Sequence, residues 1–177
     1  MAVNEHNSVA ALLGVLVRIV MWVSIIVGVL AFAAFCIGLA ASLNGGEVQL
    51  PMGGVLADGV SPATFIAALA ALIVVLPGIV YICAQLRQIL LTLANGDPFV
   101  PENAPRLLRI AATIAIMELA RYAAIILLAV FVDFGEGMNG PRLSISLVAW
   151  VSAAAMLVFS QVFREGSRLR EEDKMTI

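Results

Sequence analysis

Four long apolar runs decide what this chain can become. Ile19–Leu43, Ala63–Ala84 and Leu143–Phe163 carry no charge, and Ile110–Val132 carries only Glu118 and Arg121. A hydrocarbon core about 30 Å thick is crossed by about 20 helical residues. Lipid offers no partners to backbone N–H and C=O groups, so each run must be a helix. Composition agrees. The 177 residues are 62% hydrophobic and 12% charged, with mean hydropathy +1.05. A soluble domain is about 45–50% apolar and about 25% charged. The chain cannot clothe itself in polar groups, and lipid must be its solvent. The expected fold is an all-α integral membrane protein, one domain over 1–177, built as a four-transmembrane-helix bundle.

Basic residues orient the spans. Arg18 flanks the first. Arg87, Arg106 and Arg109 lie in the 85–109 loop, and Arg164, Arg168, Arg170 and Lys174 in the tail. The 44–62 loop has none, and the 133–142 loop has Arg142 alone. Eight basic residues against one place both termini and the 85–109 loop in the cytoplasm. A bias this strong argues against dual topology. The first run is too long for a signal-peptide core and lacks a basic start. In the outward 44–62 loop, Gly pairs around short Val and Leu segments fit either a small hairpin or a flexible loop. Ser61 offers an N-cap and Pro62 a first helical residue. Pro77, inside the second span, predicts a kink.

The 85–109 loop holds the densest local signals. Leu86, Ile89, Leu90 and Leu93 fall on one helical face. The second helix therefore continues past the lipid as an amphipathic cytoplasmic extension. Gly96, able to take positive φ, ends it. Pro98 turns the chain, Phe99 is an apolar anchor, and Asn103 is placed to cap the next helix. Arg109, with Arg87 and Arg106, suits anionic headgroups. The apolar face with Phe99 is expected to dock on the membrane surface or on a cytoplasmic partner.

This stretch resembles a widespread bacterial family of small four-span membrane proteins known only as a domain of unknown function. The shared marker is a leucine-rich helix end, then G-x-P-F, an Asn and a Leu-Arg-Ile run. Here these are Leu86, Ile89, Leu93, Gly96, Pro98, Phe99, Asn103, Leu108, Arg109 and Ile110. The resemblance covers about 25 residues and otherwise rests on span number and loop lengths. It implies a bacterial inner-membrane location and no established activity. Genes of that family often neighbour a small helix-turn-helix regulator, so it allows such a regulator as a partner. The family pattern does not require Glu118 or Arg121.

Those two charges are the other place where function can reside. Three residues apart on a helix, they share a face, and Tyr122 joins it. Acid before base is the favourable order. A midspan charge costs roughly 2.5–3.5 kcal/mol on the insertion scale, and each Leu, Ile, Phe or Val returns roughly 0.3–0.6. The span has eleven of those four types, which do little more than cancel its two charges. One reading is a neutral ion pair facing the bundle and bonding Ser152 or another helix. The other is a proton or ligand site in a small transporter, since intramembrane ionisable residues default to function. An inter-subunit contact is the third.

Small residues recur at four-residue spacing: Ala34, Gly38 and Ser42; Ala63, Ala67 and Ala71; Ala120 and Ala124; Ala149 and Ala153. Such rows let helices approach closely. They fit contacts within one chain or a homo-oligomer equally. Cys36 and Cys83 fall near opposite faces and cannot bridge. His6 is the only histidine, and no metal spacing, P-loop or nucleophile motif is present. No cofactor and no enzyme are expected, and a net charge of −2 suggests no nucleic-acid contact. The expected role is a regulatory or interaction protein presenting its 85–109 loop, ahead of a transporter using Glu118 or a purely structural bundle.

Overall fold

The computed structural model describes residues 2–44, 62–131 and 143–175. Four helices run in order: α1 Ala2–Leu43, α2 Pro62–Ala94, α3 Asn103–Phe131 and α4 Leu147–Met175. Each is long and apolar enough to cross a membrane. The all-helical expectation holds, with no strand among the described residues. The chain is a multi-pass membrane protein. Ser61, the 45–61 loop with its hairpin option, and Val132 through Arg142 lie outside the described residues.

Helix bounds differ from the apolar runs in several places. α1 begins seventeen residues before Ile19 and continues through Arg18. α3 begins at Asn103, two turns before Ile110. α4 does not begin at Leu143: residues 143–146 are non-helical, and the helix starts at Leu147. At its other end α4 runs past Phe163 to Met175. The apolar runs mark lipid exposure, whereas helix ends are set by backbone capping, and the two need not coincide. α2 runs through Pro77 as one helix, with Pro62 its first residue.

Packing follows chain order: α1 lies on α2, α2 on α3 and α3 on α4. Among the described residues α1 touches neither α3 nor α4. Close approach of α1 to α2 uses glycine. A Cβ on Gly38 would lie 2.5 Å from the Phe65 ring, and Gly28 meets Leu76 in the same way. Phe65 is buried and stands edge-on to Phe35, centroids 6.3 Å apart. The tightest packing gathers at the end carrying the α2–α3 turn. Ile89, Leu107 and Ile110 are buried there, with Ile82, Leu93, Ile114, Met156 and Phe163 packed around them.

Two hydrogen bonds fix the register of α3 and α4. Ser160 Oγ donates to the carbonyl of Ala104 at 2.8 Å, and Ser146 N–H points to Glu118 Oε1 at 3.4 Å. Fourteen residues separate 104 from 118, and fourteen separate 146 from 160. The helices are antiparallel, and α4 begins level with Glu118. α3 continues to Phe131, about 20 Å farther at 1.5 Å per residue. The described part of α4 does not accompany it there.

Candidate functional site

The Glu118–Arg121 pair lies where α4 begins. Arg121 Nε donates to Glu118 Oε2 at 3.0 Å and Nη2 to Oε1 at 2.6 Å, a two-pronged contact. The three-residue spacing produces it, because helical side chains lean toward the N-terminus. The pair also reaches the non-helical strip before α4. Arg121 Nη2 donates to the carbonyl of Ser144 at 2.5 Å, and Glu118 faces the N–H of Ser146. That strip carries backbone groups that lipid cannot satisfy, and the pair satisfies two of them. The N-terminus of α4 points its positive dipole end at the Glu118 carboxylate, which favours the anion there. Ser146 then caps the helix: its Oγ accepts from Ala149 N–H at 3.3 Å.

Tyr122 joins this site as expected. Its ring lies 4.9 Å from Arg121 Cζ, and its hydroxyl accepts from the indole N–H of Trp150 at 3.1 Å. Ser152 does not. The polar atoms from the α4 side are those of Ser144 and Ser146, because α4 starts four residues later than its apolar run and places 144–146 opposite Glu118. Ser146 was legible as a capping residue ahead of an apolar run. Ser144 had no signal of its own.

The second region is the α2–α3 turn. α2 closes with a Schellman motif: Asp97 N–H donates to Thr92 O and Gly96 N–H to Leu93 O, each at 3.0 Å. Gly96 takes φ +78°, as its position demands. Asn103 is fully buried and does not act as an N-cap. Its Nδ2 donates to Thr92 Oγ1 at 2.7 Å and to the carbonyl of Pro98 at 2.9 Å. Its Oδ1 accepts from Arg106 Nη1 at 2.9 Å. The side chain turns back toward the end of α2 and staples the turn. Thr92 in turn donates to the carbonyl of Ile89.

The apolar face expected to dock outside the chain is divided. Ile89 is buried and Leu93 packs into the core with it, both against α3 and α4. Leu90 is half-buried, and Leu86 alone of the four is exposed. The helices of the same chain occupy the face first. Phe99 stacks on Phe163 with centroids 5.7 Å apart and lies against Gly166, yet 40% of it stays exposed. Asp97 pairs with Arg170 of α4. Arg109 is exposed, its carbonyl accepting from Thr113 Oγ1 at 2.8 Å. Cys36 and Cys83 are unbridged.

The family model of DUF2975, described as a protein of unknown function, matches residues 58–177. The chain belongs to DUF2975. The matched residues take in α2, α3 and α4, and so both regions described above, while α1 lies outside them. Within the DUF2975 match, the Asn103 staple and the Glu118–Arg121 pair sit at opposite ends of the α3–α4 contact. No curated protein and no solved structure matches this DUF2975 chain.

Proposed function

We propose that this DUF2975 protein is a non-enzymatic interaction protein of the bacterial inner membrane, with both termini and the α2–α3 turn in the cytoplasm. Orientation rests on the eight-to-one distribution of basic residues. The observation that carries the role is the extension of α4. From Arg164 to Met175 the helix is rich in charge and runs about 18 Å past its apolar part. It is fastened to the turn by Phe99 on Phe163 and by Asp97 with Arg170. Turn and extension thus form one platform on which Phe99 and Leu169 remain exposed.

The partner is a cytoplasmic protein such as a small helix-turn-helix regulator. Arg168 is braced on the platform by Glu165 at 2.7 Å and Glu172 at 3.4 Å, which orders the helix surface at little gain in stability. The Glu118 geometry lends no weight to a proton-coupled transporter. Both carboxylate oxygens are engaged by Arg121 and the residue is buried.

Two measurements test this. A reporter fused after Phe99 should read cytoplasmic, and an external reading overturns the orientation. A purified small helix-turn-helix regulator, titrated onto the protein in nanodiscs, should bind the wild type and lose affinity for the Phe99→Ala/Leu169→Ala variant. Equal binding to both, or none to either, removes the platform as its docking surface.

A further inference from the structure

Arg18 and Arg87 mark one membrane boundary on neighbouring helices. Arg18 precedes the charge-free length of α1, and Arg87 follows the charge-free length of α2. The packing of α1 on α2 sets them level. Gly28 meets Leu76, and ten residues on Gly38 meets Phe65, which stands eleven residues before Leu76. The same step taken the other way leads from Gly28 to Arg18 and from Leu76 to Arg87. They also share a side. Half-buried Val17, Met21 and Ser24 lead at three- and four-residue spacing to buried Gly28 and trace the face of α1 that meets α2. Arg18 lies one residue, about 100°, past Val17, and Arg87 lies eleven residues, about 20° net, past Leu76. In an antiparallel pair a step forward in sequence swings to the same side of the seam on both helices. That side faces away from α3, because Ile89, two residues and about 200° beyond Arg87, packs on α3.

Neither guanidinium is compensated. Among the described residues neither forms an ion pair, whereas Arg121, Arg168 and Arg170 each do. α2 has no acidic residue, and α1 has only Glu5, thirteen residues or about 20 Å before Arg18. Asp97, beyond α2, is engaged by Arg170. Arg18 is exposed and Arg87 half-buried. Two cations side by side at the edge of the hydrocarbon call for an anion, and the anion found at that depth is a lipid phosphate. A guanidinium meets a phosphate through two parallel N–H donors. A headgroup with its own ammonium would bring a third cation to the same place, so the fitting lipid has none. Its chain has a path as well. Ile25 lies seven residues after Arg18 and Val80 seven before Arg87, each two turns into the span on the same side, with Ala84 between Val80 and Arg87. All three are half-buried and apolar.

We propose that Arg18 and Arg87 clip the phosphate of an anionic phospholipid of the phosphatidylglycerol type, whose acyl chain lies along Ile25, Val80 and Ala84. The clip needs both α1 and α2. It stands apart from the platform at the turn, and its failure would leave the docking role untouched.

Native mass spectrometry of the full chain, titrated in micelles with phosphatidylglycerol or with phosphatidylcholine of the same chains, tests it. The wild type should hold phosphatidylglycerol about tenfold or more tighter. Arg18→Gln/Arg87→Gln should erase that preference. Arg109→Gln/Arg164→Gln removes the same charge from two arginines that also lack an ion pair but stand about 13 Å apart in level on α3 and α4, by the register of Ala104 with Ser160. It should keep the preference. Equal loss in both double variants is diffuse attraction and overturns the clip, as does a wild type without preference. Displacement of the lipid by excess inorganic phosphate would make this a site for a soluble anion and also overturns it. Should Arg18→Gln/Arg87→Gln not fold, phosphatidylglycerol with a photoreactive acyl chain on the wild type decides. Label concentrated within 18–25 and 80–87 supports the clip, and label spread evenly over the four helices overturns it.

Discussion

The two ends of the α2–α3 contact solve the same problem in opposite ways. At the turn, backbone and side-chain polar groups close on one another. Asn103 joins Thr92, Pro98 and Arg106, and Ser160 of α4 ties into Ala104. Aliphatic residues then pack around Ile89, Leu107 and Ile110. At the far end the same two helices flank a half-open apolar groove lined largely by alanine. α4 stops at the boundary between these regions, and its start is held by the one charged pair in the membrane interior. Small side chains alone do not make helices close. Where a third helix presses on them they pack, as Ala111 does at 2% exposed, and where no described helix does they leave room.

The largest effect should come from breaking the boundary. Glu118→Ala leaves Arg121 without its carboxylate, and Arg121→Ala leaves Glu118 without its cation. Either should lower membrane yield and thermal midpoint in detergent severely. The Glu118→Ala/Arg121→Ala double variant should recover only in part, because Ser144 C=O and Ser146 N–H lose their partners as well. Full recovery would show that the pair answers only to itself and does not hold the start of α4.

Next comes the staple. Asn103→Ala removes three side-chain hydrogen bonds at a fully buried position. Leaving buried groups unpaired costs about 1–3 kcal/mol. The measurement is reversible unfolding in mixed micelles. A change near zero would mean that the turn holds through its Schellman motif alone.

These two regions differed in how far the sequence disclosed them. Helix number and class followed from apolar run length, which lipid enforces on any chain. Gly96 followed from its place after a helical run, since positive φ favours glycine there. The contact between Glu118 and Arg121 followed from spacing within one helix. Relations between helices were legible only in outline: Gly38 stood in a row marked for close approach and does meet Phe65 of α2, but the partners elsewhere were not foreseen. Asn103 looked like a cap because local sequence offers that role, yet Thr92, eleven residues earlier, competes for its side chain in three dimensions. The face of Ile89 and Leu93 looked free because periodicity says which side is apolar and not what covers it. Ser152 lost its place to Ser144 and Ser146 because α4 starts late, a fact of backbone capping that hydropathy does not carry.

One substitution made in both regions sharpens the contrast. Ala111→Leu at the packed end should destabilise by about 1–3 kcal/mol, the usual cost of overfilling a core. Ala124→Leu faces the groove and should change stability by less than about 0.5 kcal/mol in either direction. Micelle unfolding of the two variants side by side checks this. Equal losses would mean that the far halves are packed as tightly as the turn.

The smallest effect should be at the edge of the platform. The side chains of Asp97 and Arg170 are each 41% exposed, and such pairs contribute about 0–1 kcal/mol. Asp97→Asn should therefore leave the unfolding midpoint almost unchanged, and what little it shifts should vanish in high salt. The pair joins residues 73 apart in sequence, so its role is to set where the α4 extension lies against the turn. A spin-label distance between position 95 and position 172 should then broaden in Asp97→Asn while stability holds. If the distribution stays as narrow as in the wild type, Phe99 on Phe163 fixes the extension unaided, and the ion pair is incidental to the platform.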